Sequence, residues 1–166
     1  MHKNFYPDRQ VKTVYDLTPQ WLVSHGVKAL ICDLDDTLAP YFDTTPTEKL
    51  AAWVQSVRDA GVRICILTNG KAHRVLPFCS ALAIDCVPMA MKPLPFGYLR
   101  ALRRLGVKRK EALAVGDQIF TDILGANSAG IQTVLVEPIA YKTTPMEKKK
   151  RRYEKRFRRV LKAGSR

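Results

Sequence analysis

The sequence predicts an α/β fold, a doubly wound, Rossmann-like parallel sheet with helices on both faces. Three observations carry the prediction. Short apolar, β-branched-rich runs alternate with segments of helical periodicity. Gly26, Gly61, Gly106 and Gly130 close the helical segments. Polar residues able to do chemistry follow the ends of four of the runs, as expected where right-handed crossovers bring every strand-to-helix turn to one sheet edge.

Thr18-Pro19 opens a short helix through Trp21 and Leu22, with a hydroxyl cap and proline in the first turn, and Gly26 ends it. A first strand is expected from Val27 to Cys32. Thr45-Pro46-Thr47-Glu48 reads as a capping box for a second helix carrying Leu50, Trp53, Val54 and Val57 at helical spacing. Val62 to Leu67 reads as the second strand. A third helix near Ala72 to Leu82 contains Pro77, which is expected to kink or restart it. Asp85 to Met89 reads as a short third strand, Pro95 to Leu105 as a helix, Ala112 to Val115 as the fourth strand, Ile123 to Ala129 as a helix and Gln132 to Val136 as the fifth strand.

With 166 residues, 46% of them hydrophobic, the chain fits one domain able to bury a core without disulfide or metal staples. No run approaches a membrane span and the first residues lack the apolar stretch of a secretion signal, so a cytoplasmic protein is expected. Cys32, Cys65, Cys79 and Cys86 form no CxxC pair and read as buried reduced thiols, while His2, His25 and His73 are scattered. The net charge of +13 is uneven. Between residues 142 and 166, twelve Lys or Arg face only Glu147 and Glu154, so ten of the thirteen charges lie there. A domain of residues 1–141 followed by a basic tail of residues 142–166 is the expected organisation.

Asp33 and Asp35 follow the first strand, Thr68 and Asn69 the second, Lys92 the third, and Asp117 with Asp122 the fourth. Parallel strands would gather these groups in one crevice. Carboxylates about 4 Å apart repel by roughly 4 kcal/mol at an effective dielectric near 20, so their clustering requires a cation. The candidate ligands are oxygens, which favours Mg²⁺ over zinc or copper. Lys92 and the Thr68-Asn69 pair exceed what a metal cage needs and suit a tetrahedral anion on the metal, that is, a phosphate.

These residues resemble the four motifs of the haloacid dehalogenase superfamily of phosphohydrolases: Asp33-Leu34-Asp35-Asp36-Thr37 as DxDx(T/V), Thr68 after an apolar strand, Lys92 before Pro93, and Gly116-Asp117-Gln118-Ile119-Phe120-Thr121-Asp122 as GDxxxxD. The resemblance covers residues 27–136. It implies Asp33 as nucleophile forming an aspartyl-phosphate, and Asp35 as general acid and then base, its backbone carbonyl touching the metal. It further implies Asp117 completing the metal shell, Asp122 supporting it, Thr68 and the Asn69 amide holding phosphoryl oxygens, and Lys92 neutralising charge. A signalling receiver also combines acids, a Thr and a Lys on a parallel sheet, but its acceptor follows the third strand, whereas Asp33 follows the first.

Thirty residues from Leu38 to Leu67 and twenty-two from Gly70 to Met91 leave no room for an inserted cap. This layout, with the short Asp33 to Thr68 spacing and the Lys92-Pro93 pair, resembles the capless subclass IIIA phosphatases, in particular the YqeG-like group related to mitochondrial phosphatidylglycerophosphatases. The resemblance implies phosphatidylglycerophosphate as the leading specific substrate; a non-lipid phosphatase or an RNA- or ribosome-associated protein is the alternative. Tyr153, Phe157, Val160 and Leu161 place an apolar stripe on a basic helix over residues 147–163. Three occupants suit that stripe: an anionic membrane reached peripherally, nucleic acid through its phosphates, or the protein's own body.

Overall fold

The computed structural model describes residues 3–140 and 152–158. Its strands are β1 (Arg9–Gln10), β2 (Ala29–Cys32), β3 (Arg63–Leu67), β4 (Asp85–Val87), β5 (Ala112–Gly116) and β6 (Gln132–Leu135). They form one sheet in the order β1-β6-β5-β2-β3-β4, every neighbouring pair parallel. The chain steps outward from β2 through β3 to β4, then returns to the other side of β2 to lay down β5. The switch point of the topology therefore lies between β2 and β5, where doubly wound sheets bind ligands.

The helices are α1 (Pro19–Ser24), α2 (Glu48–Asp59), α3 (Ala72–Ala81), α4 (Phe96–Leu105) and α5 (Leu124–Ser128). Side-chain alternation divides the core in two. Leu30, Cys32, Ile64 and Ile66 pack with Leu22, Leu50, Trp53, Val57 and Phe78 of α1, α2 and α3 on one face. Ala29, Ile31, Cys65 and Leu67 pack with Tyr98, Ala101, Leu102 and Ala126 of α4 and α5 on the other. Burial of all four β2 residues is what a central strand covered on both faces requires. Between β2 and β4 the described elements are α2, β3 and α3 alone, with no inserted cap. Among the described residues, no helix is long and apolar enough to cross a membrane.

Three expectations are corrected. The N-cap of α2 is Thr47, whose hydroxyl accepts the Leu50 N–H at 3.2 Å, not Thr45 two residues earlier. Helix α3 does not restart at Pro77 but is one element through it, with Pro77 exposed and Val75, Phe78 and Cys79 holding the buried face. A sixth strand, β1, pairs with β6; its two residues are exposed and carry no apolar pattern. It is held by the Asp8 carboxylate, which accepts from the Thr133 N–H and hydroxyl at 2.8 and 3.1 Å. All four cysteines are free and buried, as expected.

Candidate active site

The last residue of β2 pairs with Val115 of β5, and the Asp33 N–H donates to the Val115 carbonyl at 2.9 Å, so Asp33 and Asp117 leave adjacent strands side by side. Thr37 joins them: its hydroxyl lies 3.2 Å from Asp33 Oδ2 and 3.4 Å from Asp117 Oδ1. Lys92 arrives from beyond β4 with its side chain almost wholly buried. Its Nζ donates to Asp33 Oδ1 at 2.6 Å, to Asp122 Oδ1 at 2.7 Å and to the Leu67 carbonyl at 3.1 Å. Burial alone would lower the Lys92 pKa, but the carboxylates of Asp122 and Asp33 outweigh it and hold the ammonium well above its ordinary value.

Asn69 positions that lysine. Its carboxamide accepts the Lys92 N–H at 2.7 Å and donates to the Lys92 carbonyl at 3.1 Å, a two-point grip between the β3 and β4 loops. Thr68, also buried, accepts the Gly70 N–H on its hydroxyl at 3.0 Å, tightening the turn into α3. Asp122 sits in a π-helical turn, Ile119–Ile123, ahead of α5. Its second oxygen accepts the Gln118 N–H at 3.0 Å, and its backbone carbonyl accepts the Tyr98 hydroxyl at 3.0 Å. Burial raises the Asp122 carboxyl against the pull of Lys92. The expected α5 start at Ile123 is thus preceded by a wider-register, π-helical turn in which Asp122 is buried.

Asp33, Asp117 and Asp122 each bring an oxygen within 4.8 Å of the others, all buried. With Lys92 the four side chains carry a formal charge of −2, which one hard divalent cation would balance. The residues present therefore fit such an ion. Asp35 does not share this cluster through its carboxylate. It turns to Arg74, whose guanidinium reaches Asp35 Oδ2 at 2.6 Å, while Asp35 Oδ1 is buried without a hydrogen-bond partner. Arg74 also donates to the Tyr41 carbonyl at 3.3 Å and lies over the Tyr41 ring.

An open cleft of about 540 Å³ connects these groups, lined by Asp33, Asp35, Thr68, Asn69, Lys92 and Gln118 and rimmed by Tyr41, Lys71, His73 and Arg74. The structure thus gathers Asp33, Asp35, Thr68, Asn69, Lys92, Asp117 and Asp122 at one sheet edge. Sequence reasoning missed Thr37 and Arg74 as members. Thr37 stood inside the first motif; Arg74, one turn into the helix after Thr68, had spacing as its only signal.

A family model for haloacid dehalogenase-like hydrolases matches residues 38–130. The chain is 33% identical over 162 residues to "Probable phosphatase YqeG" of Bacillus subtilis, covering 98% of this chain and 94% of that one. The chain belongs to the haloacid dehalogenase-like hydrolases. This hydrolase is also 34% identical over 108 residues to glyceraldehyde 3-phosphate phosphatase of Methanopyrus kandleri, spanning 60% of this chain and 44% of that relative. The fold of the hydrolase is shared with the cobalt-bound deoxy-D-mannose-octulosonate 8-phosphate phosphatase of Haemophilus influenzae, at 15% identity and a TM-score of 0.56 over 68% of this chain and 69% of that one.

Proposed function

We propose that this phosphatase hydrolyses phosphomonoesters through a covalent aspartyl-phosphate on Asp33, and that its substrate is a phospholipid head group such as phosphatidylglycerophosphate. The observation that carries the catalytic part is the buried ion pair of Lys92 with Asp33, 2.6 Å apart at the mouth of β2. An ammonium there lies against the Asp33 carboxylate and offers a positive charge to the incoming phosphoryl group.

An Asp33 carboxylate oxygen attacks phosphorus as the bond to the ester oxygen breaks. Asp35, across the cleft, gives its proton to the leaving alkoxide and then takes one from the water that attacks the same phosphorus, releasing phosphate and restoring Asp33. The Thr68 hydroxyl and the Asn69 N–H are the donors for phosphoryl oxygens, since the Asn69 carboxamide is already engaged with Lys92. Asp33 and Asp117 would hold Mg²⁺ with the Asp35 carbonyl, Asp122 supporting them through Lys92. Once bound, the ion screens the approach of the anionic substrate to Asp33. Arg74 orients Asp35 from the rim.

The lipid reading rests on the rim. Tyr41, which lines the cleft, and Phe42 after β2, with Met89, Met91, Leu94 and Phe96 between the end of β4 and the first residue of α4, are large apolar side chains left exposed. Lys71, His73 and Arg74 add basic or titratable groups at the cleft. Exposed apolar side chains on the segments that follow β2 and β4, together with an uncapped cleft carrying basic groups, suit a phosphate borne at a bilayer surface. Of the stripe expected over residues 147–163, Val160 and Leu161 lie outside the described residues, while Phe157 packs against Phe5 and Phe120 and Tyr153 is exposed, so these two do not share one buried face. Purified protein should release phosphate from phosphatidylglycerophosphate in mixed micelles faster than from sugar or nucleotide phosphates, with Asp33→Asn inactive on all of them. Equal rates on the soluble esters would refute the lipid assignment, and turnover by Asp33→Asn the covalent one.

A further inference from the structure

We propose that helical residues 152–158 form a clamp that holds the Asp117 loop in its metal-binding position, with Glu154 and Arg158 as positioning residues. This rests on the reading of Asp117 as a metal ligand.

Where β5 ends, the chain must turn sharply to present Asp117 and then start the π-helical turn. Such a start leaves backbone N–H groups without partners inside the helix, and buried orphans of this kind are costly. Here the partners come from more than thirty residues downstream. The Glu154 carboxylate, 3% exposed, accepts the Ile119 N–H at 2.7 Å and the Phe120 N–H at 3.3 Å. The Arg158 guanidinium donates to the Asp117 carbonyl and, at 3.3 Å, to the Val136 carbonyl beyond β6. Phe157 closes the contact, its ring 5.7 Å from Phe120 and 5.8 Å from Phe5, beside Ile119, Ile123 and Leu135.

Positions 154, 157 and 158 share one helix face by their spacing. The opposite residues Tyr153, Lys155 and Arg156 are exposed. One of only two acidic residues in a strongly basic stretch is therefore buried against the backbone that carries a candidate ligand, while its basic neighbours face solvent. Groups that fix ligand orientation from outside the coordination sphere affect metal affinity without touching the metal.

The test is Mn²⁺ binding to the full chain, followed by electron paramagnetic resonance of the free ion, with far-ultraviolet circular dichroism at the same temperature. Glu154→Ala and Arg158→Ala are expected to weaken binding by about tenfold or more while the spectrum holds, and Glu154→Gln, which keeps an acceptor oxygen, to recover to within about threefold. Arg158→Lys, able to reach one carbonyl but not both, should fall between and keeps the comparison readable if an alanine variant unfolds. Tyr153→Ser on the outer face should match the parent. Parent-like affinity in all folded variants would overturn the clamp; a parent that binds no Mn²⁺ would instead overturn the reading of Asp117.

Discussion

Lys92 is the residue on which the charge balance of the site turns. It places one ammonium against two buried carboxylates at 2.6 and 2.7 Å, each contact short enough for a charge-assisted hydrogen bond. Removing one partner of a buried pair leaves an uncompensated charge, which costs more than the pair contributes. Lys92→Met is accordingly expected to lose about 3–5 kcal/mol of stability in metal-free urea denaturation, together with phosphatase activity. A loss under about 1 kcal/mol would mean that the pair is solvated and that Lys92 has no such role. At this scale Asp33, Asp35, Lys92 and Asp117 were legible in the sequence because strand ends announce them. Thr37 was not, since a hydroxyl four residues from an aspartate reads equally as a turn residue. Arg74 was hidden because its guanidinium reaches Asp35 from the first turn of α3, 39 positions along the chain, which spacing along one segment does not disclose.

At the scale of elements, the turn from β5 into the π-helical segment sets the position of both acids of the fourth motif. Gly116 makes that turn possible. A Cβ there would lie 2.4 Å from Asp122 Cβ and Cγ and 2.5 Å from its Oδ2, so any side chain displaces the carboxylate. Gly116→Ala is expected to cost about 1–3 kcal/mol by overpacking and to lower kcat well beyond its effect on KM, measured by phosphate release and denaturation in parallel. Unaltered kcat would separate Asp122 from the site. Element existence was readable from periodicity throughout, whereas ends were less so. Thr45 and Thr47 both fit a hydroxyl cap, and the choice of Thr47 depends on where Leu50 and Trp53 meet the sheet. Strand β1 could not be read at all, because two exposed residues gain their register from Asp8 on Thr133, a contact across more than 120 positions.

For the whole molecule, sheet order converts scattered motifs into one site. Placing β5 beside β2 sets Asp117 next to Asp33, and placing β3 on the other flank brings Thr68 and Asn69, with Lys92 following from β4. The same burial governs the cysteines. Burial pushes the Cys65 thiol up to about 12, with Cys32, Cys79 and Cys86 also raised by desolvation first. Raised thiols hold almost no thiolate at pH 8, so iodoacetamide should label the native protein slowly and all four cysteines rapidly once it is unfolded in urea. Fast native labelling of Cys32 or Cys65 would contradict a sheet covered on both faces. Fold class was legible because alternation of strand and helix leaves few ways to bury both. The docking of residues 152–158 on the body was one of three readings the apolar stripe left open; the part played by Glu154 was not legible, because an acid in a basic run reads as solvent-facing until it is seen against the backbone of Ile119.

The most direct measurement is reductive trapping of the covalent intermediate. Enzyme turning over an aryl phosphate with Mg²⁺ is quenched with borohydride, which reduces an aspartyl-phosphate to homoserine, and the peptide carrying residues 29–38 is weighed by mass spectrometry. The account predicts homoserine at Asp33 in the parent and none in Asp33→Asn. Continued turnover with Asp33 unmodified, or homoserine at Asp35 or Asp117 instead, would contradict it.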